Sequence, residues 1–338
     1  MSDLPQTRNL PAQIAEAIAG IPKAFMPACV KAFDRLIGAG VDIPVACLAQ
    51  QKARIDAQTS AYEAVEAAIA KSVAAEAGTS PEFVQQALNV LVRKSYRKQK
   101  NIEAVSVTAI EDLRSDKNAE QAAQEDVLPQ EIDEDWLNVF ERYAEDASTE
   151  RMQNLWGRVL AGEIRRPGKF AMRTMRFLSE FSQTDALSFS AFASCTFGDI
   201  APQSLVKPDD KKDIRDLMAM EAAGLIQGAS GMGLAHTINF GAAGNAILRE
   251  GSLCIVFIGE PNAKIANDAV ALTPLGVELL ALLPGRDDRA SARLVATQLR
   301  SPEIRSALIG VAPNAQGNIV PIEILWQDDQ PEAKTGSP

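Results

Sequence analysis

An apolar pattern at helical spacing, running from Trp136 to Phe192, is the feature that most constrains what this chain can fold into. Apolar side chains recur there every third or fourth position, which places them along one side of an α-helix. The pattern predicts about four short helices around one core between residues 133 and 198. The principal members are Trp136, Leu137, Phe140, Tyr143, Ala144, Met152, Leu155, Trp156, Val159, Leu160, Ile164, Met175, Leu178, Phe181, Phe189 and Phe192.

Capping residues mark where these helices begin. The helical domain is expected to start near Asp133, and Ser148 or Thr149 is expected to cap the next helix. The tetrapeptide from Ser182 to Asp185 has the form of a capping box. Pro167-Gly168 is a stop-and-turn signal.

The stretch from Gly162 to Lys169 invites comparison with a phosphate-binding loop. That motif needs four residues between its first glycine and Gly-Lys, and then a Ser or Thr that reaches magnesium. Here five residues intervene and Phe170 follows Lys169. The glycine also follows a predicted helix instead of a strand. We therefore interpret the segment as a buried helix that ends in a glycine turn.

The region before residue 115 is predicted to be helical. One apolar face runs from Ile55 to Val73, Gly78 can end that helix, and Ser80-Pro81 can begin the next. Two long helices joined by a tight turn form an antiparallel hairpin. The second helix carries the basic run "RKSYRKQK", residues 93–100. A solvated helix face and a phosphate-binding surface are both consistent with this run.

The C-terminal third changes character. A helix ending near Gly224 precedes "AHTINF", "SLCIVFIG" and "VALTPLGVELLALLP". The last of these segments is predicted to be a strand that runs into a capped helix. This order of helix, strands and helix is similar to a winged-helix module. A DNA-binding version should carry a basic recognition helix, whereas the candidate helix "DDKKDIRDLMAMEAAG" is rich in acidic residues. We expect this module to pack against protein. "NIVPIEILW" is predicted to be a strand.

Together these signals predict a mainly α fold: an N-terminal long helical hairpin, a central helical domain and a C-terminal winged-helix-like α+β module. The predicted segments are a hairpin or coiled-coil-like domain at 1–114, an acidic linker at 115–132, a helical core at 133–198, the winged-helix-like module at 199–285, an α/β extension at 286–326 and a disordered tail at 327–338.

Composition limits the chemistry available. Among 338 residues with a net charge of −10 there is one histidine, His236, and the four cysteines include no C-x-x-C pair. In "GASGMG", Met232 occupies the position where a nucleophile elbow has its second glycine. The residues therefore favour a protein without a catalytic site, metal or cofactor. The polar start "MSDLPQTRNL" and the lack of a long uncharged run predict a cytoplasmic protein with no membrane span.

The segment from Trp136 to Phe189 resembles a bacterial family described as domain of unknown function 2806, and by pattern the likeness covers roughly residues 20–285. The resemblance lies in a helix ending L-W-x-x-[VIL]-L-A-G-E, a Pro-Gly turn, an R-T helix and a D-A helix. These elements correspond to Leu155, Trp156, Leu160, Ala161, Gly162, Glu163, Pro167, Gly168, Arg173, Thr174, Asp185 and Ala186. More distantly, the Leu-Trp helix, the D-A helix and the "LTPLG" element resemble the abortive infection alpha family. That second likeness implies a role in defence against bacteriophage.

Two functional hypotheses follow. The first is a non-enzymatic scaffold or regulator that acts through protein contacts, with a protein partner or a homo-oligomer, in phage defence. The second is a nucleic-acid-binding protein that uses basic helix faces at 93–100 and 151–176. The candidate contact residues are Arg93, Lys94, Arg97, Lys98, Lys100, Arg165, Arg166, Lys169 and Arg173.

Overall fold

The computed structural model describes residues 21–22, 25–37, 81–115, 131–206, 211–230, 233–312 and 318–327. The chain divides into two units, Met1–Ser179 and Glu180–Pro338. The division falls inside the predicted helical domain 133–198, whose boundaries stay a prediction. Three predictions lie mostly or wholly outside the described residues: the first arm of the hairpin, the linker 115–132 and the tail 327–338.

The described part of the first unit is helical because the predicted apolar faces are buried. It contains α1 (Met26–Ile37), α2 (Pro81–Ser115), α3 (Glu134–Glu145), α4 (Glu150–Arg165) and α5 (Met172–Glu180), the last of which ends just past the division. Phe140 and Trp156 are almost fully buried, and their rings meet edge to face at 5.8 Å. Trp136 stacks on the other side of Phe140 at 5.1 Å. These aromatic side chains of the apolar pattern are thus buried together within the first unit.

The predicted caps of the first unit are present. The Asp133 side chain accepts a hydrogen bond from the amide of Trp136, and Thr149 accepts one from Met152. Helices α2 and α4 pack closely where Gly157 lies against Thr108. Asp112 contacts Arg165, and Asn101 donates to the carbonyl of Glu145 just before α4. Residues farther along α2 therefore contact residues farther along the segment that leads into α4 and along α4 itself, so α2 and α4 run in the same direction.

The second unit combines helices with two antiparallel sheets. Its elements in order are α6 (Gln183–Ala193), β1 (Ile200–Pro202), α7 (Lys211–Ala222), β2 (Ile226–Gln227), β3 (Leu234–Asn239), β4 (Asn245–Glu250), β5 (Leu253–Gly259), β6 (Lys264–Leu272), α8 (Pro274–Leu280), α9 (Asp288–Gln298), β7 (Ile304–Val311) and β8 (Val320–Gln327). In the first sheet β6 is central and pairs with β1, β2 and β3. The second sheet has the order β4-β5-β7-β8.

The core of the second unit lies between the second sheet, α9 and the first sheet. Phe257, Ile255 and Ile309 from the second sheet pack with Val295 of α9 and with Ile238 of β3. The capping box at Ser182 and Asp185 is present, and Thr273 caps α8 with Pro274 in its first turn. These local predictions are confirmed.

The predicted mainly α fold class is wrong. Of the described residues, 51% are helical and 22% lie in strands, and these strands form two four-stranded antiparallel sheets. The winged-helix-like interpretation fails because β4 and β5 do not complete a small wing. Instead β5 pairs with β7, and β7 pairs with β8, so that β4 and β5 belong to one sheet with strands from the predicted extension 286–326. Within the described part of the chain, no helix combines the length and apolarity needed to cross a bilayer.

Candidate interaction surfaces

The turn after α4 is held by a buried carboxylate. Glu163 is 1% exposed, and its two oxygens accept hydrogen bonds from the amides of Gly168 (2.5 Å) and Phe170 (3.1 Å). Gly168 has φ 82°, a conformation that suits glycine. A Cβ on Gly162 would lie 2.6 Å from the Phe170 ring. Two amides of this turn, those of Gly168 and Phe170, are therefore bound to the protein's own Glu163.

Next to this turn, basic side chains gather. Arg165 donates to both the carbonyl and the carboxylate of Asp112, at 2.7 and 2.5 Å. Lys169 lies 5.4 Å from the centre of the Phe170 ring. Burial, followed by the positive charges of Arg165 and Arg166, lowers the pKa of Lys169. The structure thus brings Arg165, Arg166 and Lys169 together.

The basic run on α2 forms a separate surface. Arg93, Lys94, Arg97 and Lys100 are exposed, and Tyr96 among them is 72% exposed. Lys98 differs because its ammonium is paired with Glu145. Fifteen residues separate Arg97 from Asp112, which corresponds to about 22 Å along a helix. The predicted basic residues therefore fall into two separated groups, and Arg173 is exposed on α5.

A shallow depression of about 460 Å³ is lined in part by the turn after α4, residues 166–170, which we call the signature turn. Its lining includes the acidic residues Glu131, Asp133 and Glu163 together with Trp136. Each of these carboxylates already has a structural partner. Glu131 pairs with Lys31, Asp133 caps α3 and Glu163 binds the turn. The depression is an acidic surface feature built from groups that support the fold.

His236, the single histidine, lies on β3 opposite Asn267 of β6. Burial lowers the pKa of its imidazole, and the negative charge of Asp199 opposes this effect. The ring is half-buried in a sheet, as expected for a structural histidine. In the part of the chain that the structure describes, no group of three or more His, Cys, Asp or Glu could hold a metal ion.

The outer face of the second sheet is apolar, a feature that the sequence analysis missed. Strand pairing aligns Ile247, Val256, Leu308 and Ile324 in one row across all four strands. This row points away from the core, because the alternate residues Phe257, Ala307 and Trp326 pack inside. Ile247 is 40% exposed and Ile324 is 65% exposed.

The neighbouring rows complete this outer face. One consists of Asn245, Ile258, Ser306 and Gln327, and the other of Arg249, Cys254, Gly310 and Pro321. Ile258 is 42% exposed, whereas Cys254 is buried and Ile319 lies over Gly310. Of these twelve positions, only Arg249 carries a charge. A sheet with one face in water usually alternates apolar and polar residues, so this face is unusual.

The sequence did carry a signal for this surface. In "LCIVFIG" apolar residues occupy consecutive positions, a pattern typical of strands that are covered on both faces. The segment was correctly predicted to be extended. Its pairing with β7, about 50 residues away, could not be obtained from a local pattern.

The fold and surfaces define an α+β protein with two units, a buttressed signature turn in the first and an apolar sheet face in the second. Residues 85–244 match the family model described as "Protein of unknown function (DUF2806)". This match supports the resemblance to the family that the signature between Leu155 and Ala186 indicated. No curated protein and no solved structure was found to match the chain. The second sheet begins at Asn245 and lies wholly beyond the matched segment.

Proposed function

We propose that the protein is a non-enzymatic scaffold or regulator that acts through protein–protein contacts. The observation that carries this proposal is the apolar outer face of the second sheet, where Ile247, Ile258 and Ile324 are exposed around a row without charges. Exposed apolar area costs about 25 cal/mol per Å² relative to burial. A contiguous apolar face on a soluble chain is typical of a surface that another protein covers.

The chemistry of the face supports a protein partner. With Arg249 as its only charged residue, the face offers little to phosphates or to charged small molecules. Apolar contact with a matching protein surface satisfies it fully. The polar groups around the signature turn support the same proposal, because Glu163, Asp133 and Arg165 are engaged within the fold.

Site-specific photocrosslinking tests this proposal in living cells. A benzoylphenylalanine residue at position 324 or 258 should give covalent protein adducts after irradiation. The matched control places the same residue at exposed Lys264, on β6 of the first sheet. Adducts at 324 and 258 but not at 264 are the expected result. A failure of both face positions to give any adduct would contradict the proposal.

A second candidate function is nucleic-acid binding through α2. The observation that favours it is the exposed ring of Tyr96 among exposed Arg93, Lys94 and Arg97. An exposed aromatic ring can stack on a base while neighbouring cations bind the phosphate backbone.

Double replacement R93Q/R97Q should then weaken binding and reduce the slope of log K against log salt by about two. The control pair R166Q/R173Q should leave the slope unchanged. Absence of binding at low salt would exclude this candidate.

We also propose phage defence as the biological setting of the scaffold. The support for it is the resemblance of the Leu-Trp helix, the D-A helix and "LTPLG" to the abortive infection alpha family. Expression of the wild-type chain should reduce plaque formation in a bacterial host, and I324E should restore it. Equal plaque counts with and without the protein, across a panel of phages, would contradict this setting.

A further inference from the structure

We infer that the outer face of the second sheet binds the same face of a second copy of this chain, so that the protein forms a reversible homodimer. This inference rests on the proposed function and names its partner. A face-to-face contact of two sheets buries both apolar rows in the manner of a β-sandwich. The row Ile247, Val256, Leu308 and Ile324 would lie at the centre of the interface.

Charge is the first argument for a second copy. In an isologous contact, every residue of the face approaches the same surface on its partner. Any charged cluster would therefore meet its own sign. The chain as a whole carries a net charge of −10, yet the twelve positions of this face include no carboxylate and only Arg249 at the margin. Such an uncharged face is more complementary to the same face on a second copy than to the surface of an acidic or a basic partner.

The edge of the sheet argues that copies meet face to face and not edge to edge. β8 is an edge strand, and it is where a further strand would otherwise add. Pro321 lacks a backbone donor, and pairing between β7 and β8 is irregular at two places, after Ala307 and after Ile309. Proline and bulges are features that block strand addition at an edge. At the β8 side of the sheet, the outer face is therefore more available for contact than the strand edge.

The area predicts a weak dimer. Four strands span about 19 Å across the sheet, and six residues extend about 20 Å along it. Cys254 is buried and Ile319 lies over Gly310, so each copy offers at most about 400 Å² and the pair buries at most about 800 Å². This area is below the range of about 1,200–2,000 Å² found in stable complexes. Monomer and dimer should therefore exchange, and the dimer fraction should rise with protein concentration.

Sedimentation velocity over a concentration series tests the inference with the full-length chain. The wild-type protein should shift from monomer to dimer as its concentration rises. I324E and I247E, at opposite edges of the face, should each remove this shift. V320E is the matched control: Val320 lies on the same strand as Ile324 and is 61% exposed, but its pairing with Val311 places it on the opposite side of the sheet. The dimer should survive this replacement.

Two outcomes would overturn the inference. A wild-type chain that stays monomeric to the highest soluble concentration excludes the homodimer. A dimer that persists in folded I324E and I247E, checked by circular dichroism, excludes this face. In either case the crosslinking experiment is separate: adducts of another mass at position 324 would leave the proposed protein-binding function intact. Absence of both dimer and adducts would remove both.

Discussion

At the scale of single residues, Glu163 explains why the signature motif ends in an acid. Its carboxylate accepts hydrogen bonds from the amides of Gly168 and Phe170, and it is almost fully buried. The Trp136 indole donates to the carbonyl of Phe170 at 2.7 Å, which ties the same turn to α3. Most signature residues therefore maintain the fold, and the signature itself does not identify a reaction.

Replacement of Glu163 by Gln should destabilise the protein by about 1–3 kcal/mol, because one of the two amides bound by this buried side chain would face an NH₂ group instead of an acceptor. Urea unfolding followed by fluorescence measures the effect. E111Q, at an exposed position of α2, is the matched control and should change stability by less than about 0.5 kcal/mol. Equal unfolding midpoints for E163Q and E111Q would contradict this account of the turn.

Cys29 on α1 should make stability depend on alkaline pH. Burial, partly offset by the positive charge of Arg165, raises the pKa of its thiol from 9.0 to about 12. Between these values the folded state keeps a proton that the unfolded state loses. The free energy of unfolding should therefore fall as pH rises from 9 to 12, by up to about 1.4 kcal/mol per pH unit from this group.

Comparison of the wild type with C29A isolates this effect from other groups that titrate at high pH. The stability difference between the two proteins should shrink steadily as pH rises above 9. Urea unfolding at several alkaline pH values provides the measurement. Parallel stability profiles would show that the thiol does not titrate differently in the folded state.

At the scale of elements, Gly157 sets the distance between α2 and α4. A Cβ there would lie 2.6 Å from both Cβ and Cγ2 of Thr108, closer than carbon atoms approach in proteins. Gly to Ala normally stabilises a helix by about 1 kcal/mol. G157A should instead destabilise by about 1–3 kcal/mol through overpacking. S95A, at an exposed position of α2 away from this contact, should show no such loss. A G157A protein more stable than the wild type would refute the close crossing.

Local patterns predicted the helices well and the sheets poorly, for a physical reason. Thr149, the capping box at Ser182 and the Thr273-Pro274 start of α8 depend on neighbours within four residues, so the sequence alone is sufficient to identify them. The pairing of Cys254 with Gly310 joins residues far apart in the chain. Such pairing depends on the whole fold, and the apolar outer face follows from it. The basic residues were found by composition, but their separation into two groups required the helix packing.

At the scale of the whole molecule, the family match and the proposed interface occupy different parts of the chain. The matched segment ends at residue 244, and the second sheet runs from Asn245 to Gln327. The matched segment therefore includes most of α2 and all of α3, α4 and α5, but not α1. It includes none of the proposed contact face. A change of partner could occur through this sheet without any change in the signature turn.

The division into two units also predicts how the chain unfolds. Trp136 and Trp156 lie in the first unit, whereas Trp326, the remaining tryptophan, lies in the second. In a W326F background, tryptophan fluorescence reports only the first unit and circular dichroism reports both. Arg286 supplies a way to weaken the second unit selectively. Its side chain is 9% exposed, pairs with Glu250 and donates to the carbonyls of Ala193 and Thr196.

In the W326F background, R286K replaces the planar guanidinium group, which donates to several acceptors at once, with a single ammonium group. Breaking such a buried network costs about 3–5 kcal/mol, so the midpoint seen by circular dichroism should fall while the fluorescence midpoint stays unchanged. R293K is the matched control, because Arg293 is half-exposed in its pair with Glu323 and an exposed pair contributes only about 0–1 kcal/mol. If the fluorescence midpoint falls together with the circular dichroism midpoint, the two units unfold as one cooperative structure and the division does not hold in solution.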